Sequence, residues 1–64
     1  MSITCVLFAG AFWIRTAHDD YIAVEHIIAI TRHSLTSAYV ITDDRRIYVP
    51  HSVARVRQTM SRCR

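Results

Sequence analysis

Four histidines and two cysteines are the side chains of this chain best suited to holding a metal ion. Imidazole, thiolate and carboxylate groups are the usual ligands of Zn²⁺, and structural zinc sites take them in closely spaced pairs. The residues are His18, His26, His33, His51, Cys5 and Cys63, which form no Cys-x-x-Cys pair and no His-x-x-x-His pair. This wide spacing favours surface or structural histidines, and we predict that the protein holds no metal and no cofactor.

Nucleophilic catalysis requires a serine or cysteine beside a histidine that an acid orients. Ser34 follows His33 and Ser52 follows His51, so the sequence supplies two of the three residue types side by side. Adjacent residues of a strand point to opposite faces, however, and a chain this short offers little concavity from which water could be excluded. Gly10 is the single glycine, so no glycine-rich phosphate loop is present. We therefore predict no catalytic residues and no enzymatic activity.

Arginines are concentrated in the last third of the chain. Residues 45–64 hold six arginines and no acid, whereas residues 1–44 hold two arginines and five acids. Because the guanidinium group suits bidentate contacts to carboxylates and phosphates, this end could bind an acidic protein surface or a nucleic-acid backbone. The alternative is a solvated polar face whose arginines reflect genome composition. The predicted partner-binding or nucleic-acid-binding residues are Arg45, Arg46, Arg55, Arg57 and Arg62.

Two adjacent aromatic residues, Phe12 and Trp13, lie in the apolar run near the start of the chain. In a strand they must face opposite sides, so one of them is expected to lie outside the chain's own core. An aromatic side chain in such a position commonly anchors an interface. We predict a homodimer with Phe12 and Trp13 at its interface.

The elements that position these residues are expected to belong to a small α+β fold. The chain is 52% apolar and 20% charged, which is too hydrophobic for a disordered segment. Its 64 residues leave room for a single domain, residues 1–64. We predict a small antiparallel β-sheet of three to five strands, with a bent first strand, packed on one C-terminal α-helix.

The first half of the chain predicts strands and turns. Residues 3–16 favour one long strand with a bend or bulge at Gly10. Residues 18–20 favour a turn, and a second strand is predicted over residues 27–32, although the spacing just before it also allows one or two helical turns. Cys5 is interpreted as a small buried hydrophobe and Cys63 as an incidental tail thiol, so we expect no disulfide framework.

The second half predicts a loop over residues 32–37, a hairpin and a helix. Residues 38–42 and 46–49 favour two strands joined by a three- or four-residue loop. Pro50 ends the second of these strands, and His51 or Ser52 caps the helix. The helix has an apolar stripe of Val53, Val56 and Met60, with Arg55, Gln58, Thr59 and Arg62 expected to face mainly away.

The run from Ile22 to Met60 combines an Ile-x-Val-x-x-Ile-x-x-Ile segment, the hairpin and a Ser-Val-x-x-Val-x-x-x-Met helix. This hydrophobic pattern resembles the first half of a LytTR-type DNA-binding domain. The second half of that family, which contributes to DNA contact, has no counterpart in this sequence. The resemblance therefore carries over no functional residue.

The apolar run from Ile3 to Ile14 is the one segment similar to a targeting signal. It lacks a basic start, and twelve residues are fewer than the roughly 20 that a membrane-spanning helix needs. We therefore predict a cytoplasmic protein without membrane contact. All eight basic residues are arginine, which suits a GC-rich bacterial or phage genome.

Taken together, these features favour a small non-enzymatic regulatory or inhibitory protein that docks on a protein partner with an acidic surface. Proteins of this kind include phage- or mobile-element-encoded anti-defence proteins, such as anti-CRISPR proteins. The alternative is a small basic DNA-binding regulatory protein, in which the same arginines neutralise phosphates.

Overall fold

A computed structural model describes residues 2–63 and contains, in that range, two small antiparallel sheets and one C-terminal helix. The first sheet has the strand order β1-β2-β3, and the second has the order β4-β5-β6. A single turn of 3₁₀ helix, Val24–His26, connects the two sheets. The elements are β1 (Thr4–Phe8), β2 (Ala11–Arg15), β3 (Tyr21–Ala23), β4 (Ile27–Arg32), β5 (Ala38–Thr42), β6 (Arg46–Val49) and α1 (Val53–Ser61). The predicted α+β class and C-terminal helix are confirmed.

The beginning of the chain forms a hairpin, so the prediction of one long bent strand was wrong. Ala9 and Gly10 have φ angles of 54° and 77°, both in the left-handed region. Two consecutive residues of this kind form a tight turn whose twist suits a hairpin. The chain therefore reverses at Gly10, and β1 pairs with β2 from Phe8↔Ala11 to Thr4↔Arg15.

The core is formed jointly by both sheets and the helix. Inward-pointing residues of both sheets form it, with clear alternation along β5, and the helix adds the fully buried Val56. The buried apolar residues are Ile3, Ile14, Ile22, Ala38, Val40, Val49 and Val56. Because these residues come from every part of the chain, neither sheet has a separate core.

The C-terminal helix begins at Val53, directly after Ser52, which is one of the two predicted caps. The Ser52 hydroxyl accepts a hydrogen bond from the backbone N–H of Arg55 at 3.2 Å, which caps the helix. Val56 is fully buried, and Val53 and Met60 pack against the core. The prediction was wrong for Thr59, which is buried. Its hydroxyl donates to the carbonyl of Arg55 at 3.0 Å, so burial leaves no unpaired polar atom.

A disulfide joins Cys5 of β1 to Cys63, just beyond the helix, across 58 residues of sequence. The expectation of a free tail thiol was therefore wrong. α1 packs against β1, and the Cα atoms of the two cysteines lie 5.7 Å apart, within the usual range for a disulfide. Proximity of the two chain ends depends on the tertiary fold, so the spacing of the cysteines does not reveal it.

The remaining strand predictions are confirmed. β4 covers Ile27–Arg32, and β5 and β6 form the expected hairpin around a three-residue turn. In that turn the backbone N–H of Thr42 donates to the carbonyl of Arg45 at 2.9 Å. Within residues 2–63, no helix is long and apolar enough to cross a membrane.

Candidate functional site

The first sheet turns four apolar or aromatic side chains outward. Val6 is the cross-strand partner of Trp13, and the neighbouring residue Ile14 is fully buried on the opposite side. Since strand residues alternate between faces, Trp13 and Val6 lie on the outer face. Phe8 shares that face by its register on β1, and so does Tyr21 by its register on β3. We call this surface the first-sheet apolar face: Val6, Phe8, Trp13 and Tyr21.

The first-sheet apolar face is open to solvent. The residue exposures of Phe8 and Tyr21 are 71% and 52%. Trp13 is half-buried, and its indole N–H donates to the carbonyl of Phe8 at 3.2 Å, which ties the ring to the end of the hairpin. Together with Leu7, the four side chains line a depression of about 540 Å³. Exposed aromatic area of this kind is typical of a binding surface.

Phe12 and Trp13 take opposite sides of β2, as the strand geometry requires. Phe12 pairs across the hairpin with Leu7, on the side that carries Ile14. Phe12 is nevertheless only half-buried, and Leu7 is 65% exposed, because the end of the hairpin extends beyond the core. Both surfaces of the hairpin tip are therefore apolar.

The structure divides the five predicted arginines between two regions. Arg45 and Arg46 lie at the β5–β6 hairpin, whereas the others lie on or directly after α1. At helical spacing Arg55 and Arg62 share one flank of α1. Arg57 lies on the other flank, where it borders β4. All five are exposed, but they do not form one continuous patch.

These arginines keep their charge available for a partner. Within the part of the chain that the structure describes, Arg15 and Asp19 form an ion pair at 2.8 Å, and Nδ1 of His26 lies 3.4 Å from a carboxylate oxygen of Asp43. Neither pair involves an arginine of residues 45–62. An acidic surface or a phosphate would therefore not have to displace an internal partner.

The outer face of the second sheet carries a cluster that the sequence analysis missed. The ring centroids of His33 and Tyr39 lie 5.2 Å apart, those of His33 and Tyr48 5.4 Å, and those of Tyr39 and Tyr48 6.0 Å. All three pairs meet edge to face. The Arg46 guanidinium carbon lies 4.6 Å from the centroid of the Tyr39 ring, within cation–π range. We call His33, Tyr39, Arg46 and Tyr48 the aromatic–arginine cluster.

Strand register explains how the cluster assembles. Tyr39 and Tyr48 are direct cross-strand partners, and Arg46 precedes Tyr48 by two residues on the same face. His33 follows β4 and is fixed by the loop, where its Nδ1 lies 2.8 Å from the hydroxyl of Ser37. The signal was present in the alternation of β5 and β6, because inward Val40 and Val49 place both tyrosines outward.

His51 is a structural histidine. It is buried, and its Nε2 accepts a hydrogen bond from the backbone N–H of Ala17 at 3.2 Å. Burial lowers the pKa of His51, and the positive charges of Arg55 and His18 lower it further. This contact fastens the loop after β2 to the start of the helix.

The last candidate groups are the possible metal ligands and the serines that stand beside histidines. Within residues 2–63, no three His, Cys, Asp or Glu side chains converge as metal ligands would. Ser34 and Ser37 join their hydroxyls at 2.6 Å beside His33, but these contacts hold the 33–37 loop closed. The serines therefore have a local structural role.

The fold and its surfaces define a small α+β protein with two different exposed sheet faces. No protein-family model, curated protein or solved structure matches the chain. A function must therefore be inferred from the surfaces themselves.

Proposed function

We propose that this chain is a small non-enzymatic regulatory or inhibitory protein that acts as a homodimer and docks on an acidic protein surface. The observation that carries the proposal is the first-sheet apolar face, with Phe8 and Tyr21 more than half exposed beside Trp13. Burial of apolar area is the main favourable term in protein association. A partner that covers this face would therefore gain substantial binding free energy, although the chain is small.

A second copy of the chain is the occupant that suits this face. The centre of the face is uncharged, and at its rim Arg15 is neutralised by Asp19 at 2.8 Å. Two copies can therefore meet face to face around a two-fold axis without repulsion between like charges. The helix and the second sheet carry exposed arginines. Face-to-face contact of two copies through either of these surfaces would therefore bring like charges together.

Dimerisation through the first sheet would leave the helix arginines free for the acidic partner. Arg55 and Arg62 occupy one flank of α1 and Arg57 the other, all exposed. Planar guanidinium groups pair with carboxylates by two parallel hydrogen bonds. The net charge of +3 would also accelerate encounter with an acidic protein.

The proposal is tested by the mass of the protein in solution, measured by analytical ultracentrifugation over a range of concentrations. We expect a dimer for the wild type and a monomer for Phe8→Asp, which places a charge in the apolar face. Leu35→Asp is the matched control, because Leu35 is 78% exposed in the 33–37 loop and the charge change is identical. A monomeric wild type would refute the dimer, and equal masses for the two variants would refute the first-sheet apolar face as its interface.

Duplex DNA decides between the two kinds of partner for the helix arginines. Tight binding that weakens steeply with salt and is lost in an Arg55→Ala, Arg57→Ala variant would favour a DNA-binding protein. No duplex binding at low salt, from a stable dimer, would favour the acidic protein partner.

The cytoplasmic location stays a prediction, and the disulfide gives it a measurable consequence. Reducing systems in the cytosol keep most cysteines as thiols. In cells, a cytoplasmic pool should therefore contain mostly reduced Cys5 and Cys63. Trapping of free thiols in a rapid acid lysate would measure that fraction.

A further inference from the structure

We propose that the outer face of the second sheet binds single-stranded nucleic acid, with the aromatic–arginine cluster as its stacking surface. This site lies on a different sheet from the first-sheet apolar face. The inference therefore goes beyond the proposed dimer and does not depend on it.

The cluster offers flat surfaces on which unpaired bases stack. Proteins bind single strands by laying bases against aromatic rings and arginine guanidinium planes. The Tyr48 ring stands at 73° to that of Tyr39, and Tyr48 is 43% exposed. Arg46 lies over the Tyr39 ring at 4.6 Å and adds a positive charge at the stacking surface. One base can therefore contact Tyr48 while the adjacent phosphate pairs with Arg46.

The aromatic–arginine cluster contains a permanently charged cation, Arg46. Strands β4, β5 and β6 contain no acidic residue. The two acids of the β5–β6 turn are directed to other partners: Asp43 lies 3.4 Å from His26, and Asp44 accepts a hydrogen bond from the buried Thr42 at 2.8 Å. Arg46, which lies over the Tyr39 ring, is therefore the group of this cluster that can pair with a phosphate.

The cluster is held in place before any ligand arrives. Each of the three rings meets both others edge to face, and His33 is held through Ser37 by the closed 33–37 loop. Side chains that are already ordered lose little conformational freedom on binding. The bases of a duplex are stacked on one another and cannot reach these rings, so the face should favour single strands.

The test is fluorescence anisotropy with a labelled oligothymidine of about ten nucleotides, a length typical of small single-strand sites. A duplex of the same length is measured in parallel, each at low and moderate salt. We expect the single strand to bind more tightly than the duplex. Tyr48→Leu should weaken single-strand binding about tenfold, because it removes a stacking ring, whereas Tyr48→Phe should retain it. Thermal melts of both variants verify that they fold.

Arg46→Gln and its matched control complete the experiment. Loss of one phosphate contact should lower the log–log salt slope of single-strand binding by about 0.7. Arg15→Gln removes the same charge from the first sheet, away from this face, and should leave single-strand affinity within about twofold. The proposal is overturned by preference for the duplex, by no binding at low salt, by equal loss in Arg46→Gln and Arg15→Gln, or by full binding in Tyr48→Leu. The mass of the protein in solution is measured separately. It tests the proposed dimer and does not test the single-strand site.

Discussion

The two sheets of this protein have similar architecture and different outer faces. Each is a three-stranded antiparallel meander whose inner face contributes to the shared core. The first carries Phe8, Trp13 and Tyr21 outside, with its one nearby arginine neutralised by Asp19. The second carries two tyrosines and a histidine with an unpaired arginine over one ring. An uncharged apolar face suits contact with a copy of itself, whereas a cationic aromatic face suits an anionic ligand with flat groups.

The sheets also differ in how they are held to the rest of the molecule. β1 is covalently attached, through Cys5, to Cys63, two residues after the end of α1. The second sheet has no such link and is held by its inward side chains, among them the fully buried Val40 and Val49. Conditions that act on the disulfide should therefore affect the first sheet and the helix more than the second sheet.

The largest effect is expected from reduction of the Cys5–Cys63 disulfide. A bridge that closes a loop this long typically stabilises a small domain by about 2–4 kcal/mol, mainly by restricting the unfolded chain. Urea unfolding with and without reductant should show that decrease in the free energy of unfolding. Hydrogen exchange should show that β1 and the end of α1 lose protection before β5 and β6.

The Cys5→Ser, Cys63→Ser double variant is the control for this prediction. It should match the reduced wild type and should not respond to reductant. Equal unfolding midpoints for oxidised and reduced wild type would mean that the bridge adds nothing to stability, and uniform loss of exchange protection would remove the contrast between the sheets.

A smaller effect is expected at the turn of the first hairpin. Gly10 has a φ of 77°, and an added Cβ would meet no atom within 4 Å, so Gly10→Ala introduces backbone strain without a clash. That strain is about 1–2 kcal/mol, and a gain of about 0.4–1 kcal/mol from the less flexible unfolded chain offsets part of it. The free energy of unfolding should therefore decrease by roughly 1 kcal/mol. Thermal or urea unfolding measures the loss directly.

The neighbouring residue, Ala9, offers a matched variant that should change the free energy of unfolding in the opposite direction. Ala9 already has a positive φ of 54°, so Ala9→Gly relieves strain. The relief of about 1–2 kcal/mol exceeds the cost of about 0.4–1 kcal/mol for a more flexible unfolded chain, and the variant should be slightly more stable. Equal stability of Gly10→Ala and the wild type would argue against the tight turn and for the bent strand that the sequence suggests.

The second half of the chain was more predictable than the first because its signals are local. Alternation over 38–49, the polar turn at 43–45 and the serine before the helix each depend on neighbouring residues, and each matches the structure. The first hairpin was missed because one glycine is compatible with both a bend and a reversal. In the structure, the reversal also requires a positive φ at Ala9, a conformation that alanine rarely adopts.

Features that depend on long-range contacts could not be predicted from the sequence. The disulfide and the burial of Thr59 both depend on how the helix packs, and neither has a local signal. The aromatic–arginine cluster lies between these cases. The register of β5 and β6 predicts that Tyr39 and Tyr48 share a face, but the position of His33 depends on the 33–37 loop. The sequence predicted arginines at the hairpin tip and on the helix, but only the fold shows that they form no continuous patch.

The smallest effect concerns the contact that connects the two halves of the molecule. His51 follows β6, and its Nε2 accepts a hydrogen bond from Ala17 in the loop after β2. Burial, with the charges of Arg55 and His18, lowers the pKa of His51 in the folded protein below its ordinary value of 6.5. The unfolded chain therefore binds a proton more readily. The contribution of neutral His51 to the free energy of unfolding should be fully present above about pH 6.5 and should decrease as the pH falls toward the pKa of the folded state.

His51→Gln separates the titration from the contact. The glutamine carbonyl can accept the same hydrogen bond from Ala17 but cannot be protonated in this range. The difference between the urea midpoints of the wild type and the variant at pH 7.5 measures the structural cost of the substitution. The decrease of each midpoint between pH 7.5 and pH 5 measures how much stability is lost through protonation. We expect a smaller loss for the variant than for the wild type. Parallel losses would show that protonation of His51 does not weaken the connection between the two sheets, and that other groups cause any acid sensitivity.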